Sequence, residues 1–388
     1  MKIMFNSDSI KIIPARIKQA RVSRGYSMAD LADRINVSKQ IISQYELGIA
    51  NPINIINNLV NVLDYPLNYF TKEMPKNLIE STTYFRSNKS TSKKLKDAAN
   101  EKVLIFDEIR QYFEQFVNFP KLNLPEIETK DEYSIYDIED IAREVRKYWN
   151  LGLGPINNII EVLQENGIII SRIKVRNTKI DAFSKWINAI PYIFLSIEKN
   201  CALRSRFDIA HELGHILLHQ SITKEDMEEK SNLNRIEKEA DMFAGAFLLP
   251  AESFSKEVFS SSMQNFIALK RRWKVSIGSM IYRCDDLNLL TENQVIYLKK
   301  QMSGKNFWRK EPLDDIIEIE TPYLYKQIID IIQENNIITN EQIIDDIALN
   351  PSEIEEYCYL KKGQLNTNII NNKIVSIKKY SDIKFGYN

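Results

Sequence analysis

Apolar residues recur at helical spacing in the first seventy positions of the chain. Between Pro14 and Phe70 they fall three or four residues apart, and turn signals separate the runs. This pattern predicts a bundle of short amphipathic helices. A polar, lysine-rich stretch follows, and from Ser92 an apolar stripe that reaches Phe116 predicts one long helix. The first third is therefore predicted to be a helical bundle, a linker and a long helix.

The middle of the chain changes from helices to short strands and back. Helical spacing over Tyr136 to Trp149 and over Ile156 to Asn166 precedes two short apolar runs, GIIISRIK at Gly167 to Lys174 and IPYIFLSI at Ile190 to Ile197. Runs of this length between turn residues predict buried strands. The second strand either forms an edge to which an extended substrate adds or lies in the core. Helices resume near Ile236, so an α+β unit is predicted.

All three histidines of the chain fall within nine residues, in FDIAHELGHILLH. On a helix, His211 and His215 lie about 40° apart and about 6 Å along the axis, so both imidazoles can face one ion. Glu212 then lies beside the ion without binding it, where it can take a proton from an attacking water. This is the H-E-x-x-H pattern of zinc metallopeptidases. We predict a Zn²⁺ site and peptide-bond hydrolysis; the alternative is two surface histidines on an amphipathic helix.

Zinc needs a third protein ligand, and His219 is too far from His211, about 12 Å along the helix axis. We expect His219 to support the site or simply to pack at the helix end. The helix predicted for IEKEADMFAGAFLLP carries acids one turn apart. Glu237 is the predicted ligand, and Asp241 is the predicted acceptor for the outer N–H of a ligand imidazole. Glu239 lies about 200° around that helix from Glu237 and is predicted to point elsewhere.

Two stretches around these residues resemble a known family. RFDIAHELGH (Arg206 to His215) and EKEADMFAGAFLLP (Glu237 to Pro250) resemble the ImmA/IrrE zinc metallopeptidases, gluzincin-like proteins, within a region of about Tyr136 to Leu290. The resemblance implies the same zinc ligands, with Glu212 as general base and Asp241 as the supporting acid. It also implies a protein substrate, a helix-turn-helix repressor.

The N-terminal bundle has helix-turn-helix spacing, with a tight turn at Asn36 and Val37. Ser38 follows the turn and is placed to cap the next helix. From about Ala15 to Phe70 it resembles the Cro/repressor (XRE-type) family. The resemblance implies a salt bridge between Arg21 and Glu46 and a recognition helix from Ser38 to Leu47. The side chains expected to reach bases in the major groove of double-stranded DNA are Lys39, Gln40, Ser43 and Gln44.

Charge and composition limit the partners. Lys plus Arg and Asp plus Glu both number 52, so no chain-wide basic charge directs the protein to nucleic acid. Residues 1–70 carry eight basic and five acidic side chains. This small positive charge predicts weak binding to DNA phosphates by a monomer, so we expect a homodimer to be needed for useful DNA affinity. The alternative for the bundle is a protein–protein adaptor. Met28, at the start of the second helix, departs from the polar residue that repressors often place there.

Other features exclude several classes of protein. Three cysteines without CxxC spacing offer neither a disulfide framework nor a thiolate zinc site. No run of eighteen apolar residues and no signal-peptide core is present, so a cytoplasmic protein without membrane association is expected. Residues 311–360 hold thirteen acids against one lysine. Such a charge distribution repels phosphate. Within it, Ile337 to Tyr357 have helix-turn-helix spacing, and we interpret this acidic helical unit as solvated or, alternatively, as facing a protein.

The predicted fold is multidomain and mainly α, with an α+β gluzincin-like core. The predicted units are a five-helix helix-turn-helix domain (1–72), a linker with a long helix (73–130), a metallopeptidase domain (131–305) and an acidic helical unit (306–388). The leading hypothesis is a zinc endopeptidase that cleaves a repressor or antitoxin-like protein to switch gene expression. The alternatives are a non-proteolytic XRE-type regulator whose peptidase-like domain senses a ligand or partner, and a latent peptidase that a partner activates.

Overall fold

The computed structural model describes residues 11–75, 84–87, 92–174, 180–197, 201–223, 225–226 and 229–365. This part of the chain is mainly helical and contains a four-stranded sheet. Expectations about the first ten residues, about linker residues 76–83 and 88–91, and about residues 366–388 lie outside the described residues.

The N-terminal bundle is built from short helices with local start and stop signals. Ser27 and Asp30 form a capping box at the start of the second helix, and the Ser38 side chain accepts a hydrogen bond from the Ile41 N–H at the start of the third. Asn36 ends the second helix at φ 54°, a left-handed conformation that Asn tolerates well. The helices are α1 (Pro14–Ser23), α2 (Met28–Ile35), α3 (Lys39–Glu46), α4 (Ile56–Leu63) and α5 (Leu67–Thr71).

The long helix predicted from Ser92 is α6 (Lys93–Phe113), and the two helices predicted before the first apolar strand are α7 (Ile135–Tyr148) and α8 (Ile159–Glu165). A capping box of Ser134 and Asp137 starts α7. The side chain of Asn158 caps α8 by accepting from the Glu161 N–H. These three predictions are confirmed, with ends displaced by one to three residues as local signals usually allow.

The sheet has strand order β1-β3-β4-β2, formed by β1 (Tyr84–Ser87), β2 (Ile169–Ile173), β3 (Ile180–Ile187) and β4 (Ile190–Ser196). The two strands predicted from sequence, β2 and β4, pair in parallel. A two-residue turn at Asn188 and Ala189, both with positive φ, joins β3 and β4 into a hairpin, as a type I′ turn requires. Strand β1 pairs antiparallel with β3.

The α-helices not yet described follow the sheet in the chain. Helix α9 carries the histidine cluster and packs directly against α10. These helices are α9 (Ala202–Leu218), α10 (Lys230–Leu248), α11 (Ala251–Phe254), α12 (Met263–Trp273), α13 (Ile277–Asp286), α14 (Glu292–Gly304), α15 (Leu324–Glu334), α16 (Asn340–Ile347) and α17 (Pro351–Tyr357).

The sheet separates two hydrophobic cores. Ile193 and Leu195 of β4 point into a core shared with α7 to α10 and α12 to α14. Tyr192 and Phe194 of the same strand point to the other side, into a core shared with the N-terminal bundle, α6 and α15 to α17. A sheet covered on both faces explains why β4 reads as a nearly continuous apolar run and why β2, although it includes Ser171 and Arg172, is buried at every position.

The acidic helical unit at Ile337 to Tyr357 is not simply solvated, and that interpretation is wrong for two carboxylates of α17. Glu353 of α17 pairs with Arg24 at 2.7 Å, and Glu355 accepts the backbone N–H groups of Gly363 and Leu365. Glu311 pairs with buried Lys270 at 2.7 Å. These acids compensate basic and backbone donors within the chain.

The packing crosses the predicted domain boundaries. Arg16 in α1 makes two hydrogen bonds to Glu108 of α6, at 2.7 and 2.8 Å. Asn350 donates to the Asp64 backbone at the end of α4. The boundaries at residues 72, 130 and 305 stay predictions. None of the described helices has the length and apolar character that crossing a membrane requires.

Candidate metal centre

Helix α9 presents its histidines against α10 at close range. Gly214 allows this approach, because a Cβ at this position would lie 3.2 Å from the Ala240 Cα and from the Phe243 ring. His211 and His215 are buried, at 1% and 0% exposure, on the side of α9 that faces α10. The neighbouring helix therefore meets the HELGH segment where its acidic residues lie.

Three side chains from these two helices converge. The Nε2 atoms of His211 and His215 lie 3.0 Å apart, and carboxylate oxygens of Glu237 lie 3.5 Å from the first and 3.7 Å from the second. Each residue offers one ligand atom within 4.8 Å of the others. The sequence assigned ligand roles to the same three residues.

The spacing of these atoms suits a tetrahedral zinc ion. With bonds near 2.1 Å, ligand atoms of such an ion lie about 3.4 Å apart. The two imidazole nitrogens are 3.0 Å apart, and each lies near a different oxygen of Glu237, with Oε2 at 3.5 Å from His211 and Oε1 at 3.7 Å from His215. The Oε1 atom of Glu237 is buried and has no hydrogen-bond partner among the described residues. A buried carboxylate oxygen without a donor is costly, and a cation would compensate it. Two imidazoles and one carboxylate form the donor set of catalytic zinc sites.

The outer nitrogens of both histidines have partners that orient the rings. His211 Nδ1 lies 2.8 Å from Asp241 Oδ1, the place predicted for that acid. His215 Nδ1 lies 2.9 Å from His219 Nδ1, and His219 Nε2 lies 2.9 Å from Glu239 Oε2. Such contacts fix the tautomer in which Nε2 faces the metal position.

Glu239 supports the site in a way that the sequence interpretation did not foresee. It does point away from Glu237, but it reaches His215 indirectly through His219. Burial favours its neutral form, yet hydrogen bonds from His219, the Tyr133 N–H and Arg235 outweigh burial and lower its pKa. Burial also lowers the pKa of His219, which favours a neutral ring beside a charged Glu239. His219 thus belongs to the support of the site.

Glu212 is fully buried beside the two imidazoles. The Ser184 hydroxyl of β3 donates a hydrogen bond of 2.6 Å to Glu212 Oε2. This hydrogen bond fixes the orientation of the carboxylate at one of its two oxygens. Sequence reasoning missed Ser184, because only the register of β3 brings it to α9, and β3 was not predicted.

Of the two alternatives for the strand at Ile190 to Ile197, the structure contradicts the substrate edge and agrees with the core strand. Strand β4 lies inside the sheet, with β3 on one side and β2 on the other. A cavity of about 460 Å³ reaches the site at Asp241 and is also bordered by Phe207, Met242, Tyr282 and Trp308. Asp241 and Glu237 are half-exposed, so the centre opens to solvent along α10.

The residues predicted to contact DNA lie on and beside the exposed face of α3. Lys39 and Gln40 are exposed, while Ser43 and Gln44 are half-buried. The implied salt bridge is confirmed, since Arg21 donates to Glu46 at 2.5 and 2.9 Å. Leu47 and Ile49, just beyond the helix, are about 70% exposed. Met28 packs against the core of the bundle instead of presenting a polar group.

Two family models match the chain. The model of the IrrE N-terminal-like domain matches residues 163–285, and a helix-turn-helix model matches residues 17–70. The first range contains β2 to β4, α9, α10 and the converging residues, and the second contains α2 to α4 and most of α1 and α5. A comparison with curated proteins found no match.

Proposed function

We propose, for a chain that joins a helix-turn-helix domain to an IrrE N-terminal-like domain, that it is a zinc-dependent endopeptidase whose N-terminal domain binds double-stranded DNA. One observation carries the proposal. Two buried imidazoles and a carboxylate converge beside a buried Glu212 on the HELGH helix. The proposed domains are residues 1–72, 73–130, 131–305 and 306–388.

In this proposal His211, His215 and Glu237 hold the ion, and Asp241 orients His211. Zinc, when bound, supplies Lewis acidity toward a peptide carbonyl and lowers the pKa of a water molecule. Glu212 accepts the proton of the attacking water at its carboxylate and later delivers it to the leaving amine. Ser184 holds Oε2 of Glu212 during this transfer.

The proposed substrate is a transcriptional repressor or antitoxin-like protein in the cytoplasm. A DNA-binding domain in the same chain would raise the concentration of the peptidase near a DNA-bound substrate. Lys39, Gln40, Ser43 and Gln44 are the proposed base-contacting residues, and a homodimer would raise the affinity for DNA. Membrane association is not part of the proposal.

The test uses zinc-loaded full-length protein and helix-turn-helix repressors encoded near its gene. We expect the wild type to cut at least one repressor, and Glu212→Gln to bind zinc equally but lose cleavage. Glu252→Gln, an exposed acid on α11, is the matched control and should cut normally. Cleavage by Glu212→Gln at the wild-type rate would contradict the catalytic assignment.

A second candidate is a non-proteolytic regulator whose peptidase-like domain senses a partner. The pairing of β1 with β3 favours it, because β1 covers the sheet edge next to Glu212. This candidate predicts DNA binding that responds to an effector and is unchanged by Glu212→Gln. Repressors incubated with the zinc-loaded protein would remain intact.

A further inference from the structure

The edge of the sheet beside the candidate centre is covered by a segment of the same chain. Strands β1 and β2 are the outer strands of the described sheet, and β3 lies between β1 and β4. Tyr84 of β1 is the register partner of Ser184, the residue whose hydroxyl contacts Glu212. Strand β1 also contacts α9 itself. The backbone of residues 84–87 therefore runs past the centre in an extended conformation.

An extended peptide binds most readily to an unpaired strand edge, where its backbone completes the ladder. At this centre the strand that borders Glu212 is β3. One side of β3 is paired with β4, and the other side is the one that β1 occupies. The edge at β2 lies two strands away, across β4. A substrate that pairs beside Glu212 would need the place of β1.

We propose that β1 is an internal competitor, which occupies the edge of β3 where an extended peptide substrate binds, so that the substrate must displace it. This inference rests on the proposed peptidase function. It names the substrate class, a segment that is unfolded or can become extended, and the obstacle to its binding. The chain is latent while β1 is paired.

The structure indicates that separating β1 from β3 costs little free energy. Strand β1 has four residues, and its register with β3 shifts between Arg86 and Ser87. Short, irregular edge strands contribute few ladder hydrogen bonds. As part of the same chain, β1 competes at an effective concentration of about millimolar, which a free substrate must overcome.

Loss of β1 would leave the neighbouring units in place. The N-terminal bundle is held to α6 by Arg16 and Glu108, and to α17 by Arg24 and Glu353. Both pairs lie outside β1 and outside the sheet. The strand can therefore leave β3 without detaching the helix-turn-helix bundle.

The first experiment compares two double variants in the full chain, each with Glu212→Gln so that no peptide is consumed. Tyr84→Pro with Phe85→Pro removes two backbone N–H groups. Because the N–H groups of successive strand residues point to opposite edges, one of these two donates to β3, and this hydrogen bond is lost. Tyr84→Val with Phe85→Val is the matched control, which changes the same side chains but keeps strand propensity. The probe is a fluorescein-labelled peptide ESTTYFRSNKST, the sequence of residues 80–91.

We expect the proline variant to bind the probe at least about tenfold more tightly than the valine variant, because the tethered competitor pairs with β3 more weakly. Equal affinities would overturn the proposal. Circular dichroism shows whether the proline variant folds. If it does not, a second variant decides.

The second variant carries Arg86→Cys and Ala182→Cys, which are register partners. Partners in an antiparallel pair lie within the Cα separation that a disulfide needs. We expect the oxidised form to bind the probe at least about tenfold more weakly than the same protein after reduction. Equal binding in both redox states would overturn the proposal.

The proline and valine variants with Glu212 restored distinguish a failure of this inference from a failure of the proposed peptidase function. A probe-binding difference without zinc-dependent cleavage would mean that the edge is gated but the chain is not a peptidase. Glu212-dependent cleavage at equal rates in the proline and valine variants would overturn the gating and leave the peptidase. A cut within residues 84–87 of the zinc-loaded wild type, seen by intact mass, would overturn the competitor role, since β1 would then be a substrate.

Discussion

Nδ1 of His215 lies 2.9 Å from Nδ1 of His219, so one of these nitrogens must carry the shared proton. If His215 uses Nε2 for a metal, its Nδ1–H donates to His219, and His219 Nε2–H then donates to Glu239. In these two hydrogen bonds, each N–H donor faces an acceptor. His211 has the shorter counterpart, a direct contact with Asp241. The two histidines are thus oriented by different numbers of residues.

We therefore expect Glu239→Ala to weaken zinc binding by about 10- to 100-fold, the usual cost of losing a residue that orients a ligand histidine. Glu239→Gln should retain most of the affinity, because its amide oxygen still accepts from His219. Zinc dissociation constants from competition with a chromogenic chelator measure the effect. Glu252→Ala is the control for loss of one acid, and equal affinity in Glu239→Ala and Glu252→Ala would contradict the expectation.

The sequence predicted the converging residues because their spacing is local. His211 and His215 are one helical turn apart, and so are Glu237 and Asp241, and helix geometry alone puts each pair on one face. What periodicity could not supply is the contact between helices and strands. The role of Glu239 was not predicted, because its position around α10 relative to Glu237 says nothing about its distance to His219 at the end of α9. Ser184 depends on the register of β3.

Strands β1 and β3 were missed for a physical reason as well. Strand β4 is buried on both faces and reads as a nearly continuous apolar run, and Ile169 and Ile170 give the start of β2 the same character. Strand β3 instead places Asp181, Ser184 and Lys185 among its apolar residues. Strand β1 has only four residues within a polar stretch, too few to show any period.

The contact between Arg24 and Glu353 is expected to stabilise the docking of the bundle on the C-terminal helices. Two hydrogen bonds of 2.7 and 2.8 Å join them, and both side chains are largely buried. Glu353→Gln should lower the free energy of unfolding by about 1–2 kcal/mol, because a charged donor loses its ionic partner. Urea unfolding measures this. Glu334→Gln, an exposed acid on α15, should change stability little, and a similar loss there would point to net charge instead.

Asp137 should make the stability of α7 depend on pH in acid. Hydrogen bonds from Lys130 and then Ser134 hold its pKa at about 2, below the ordinary value of 3.8. A carboxyl with a lower pKa when folded stabilises the fold fully above its unfolded value, and the contribution is lost as pH falls through about 2. Asp137→Asn should thus lower the Tm near pH 6 and not near pH 2. Thermal unfolding at several pH values checks this, with exposed Asp131→Asn as control; a pH-independent difference would contradict it.

Lys39 and Gln40 should affect DNA binding in different ways if α3 enters the major groove. Lys39→Ala should lower the affinity for the specific site and, because a positive charge is lost, should also weaken binding to scrambled duplexes and reduce the salt slope by about one. Gln40→Ala removes no charge and should cost about 1–3 kcal/mol on the specific site only. Fluorescence anisotropy with specific and scrambled duplexes at several salt concentrations measures both, and Lys300→Ala, exposed on α14, controls for loss of one charge. The exposed Leu47 and Ile49 favour the adaptor alternative, which predicts no sequence preference and no effect of Gln40→Ala on either duplex. Because the two substitutions lie next to each other on one helix, a structural disturbance would affect both equally, and only groove binding separates them.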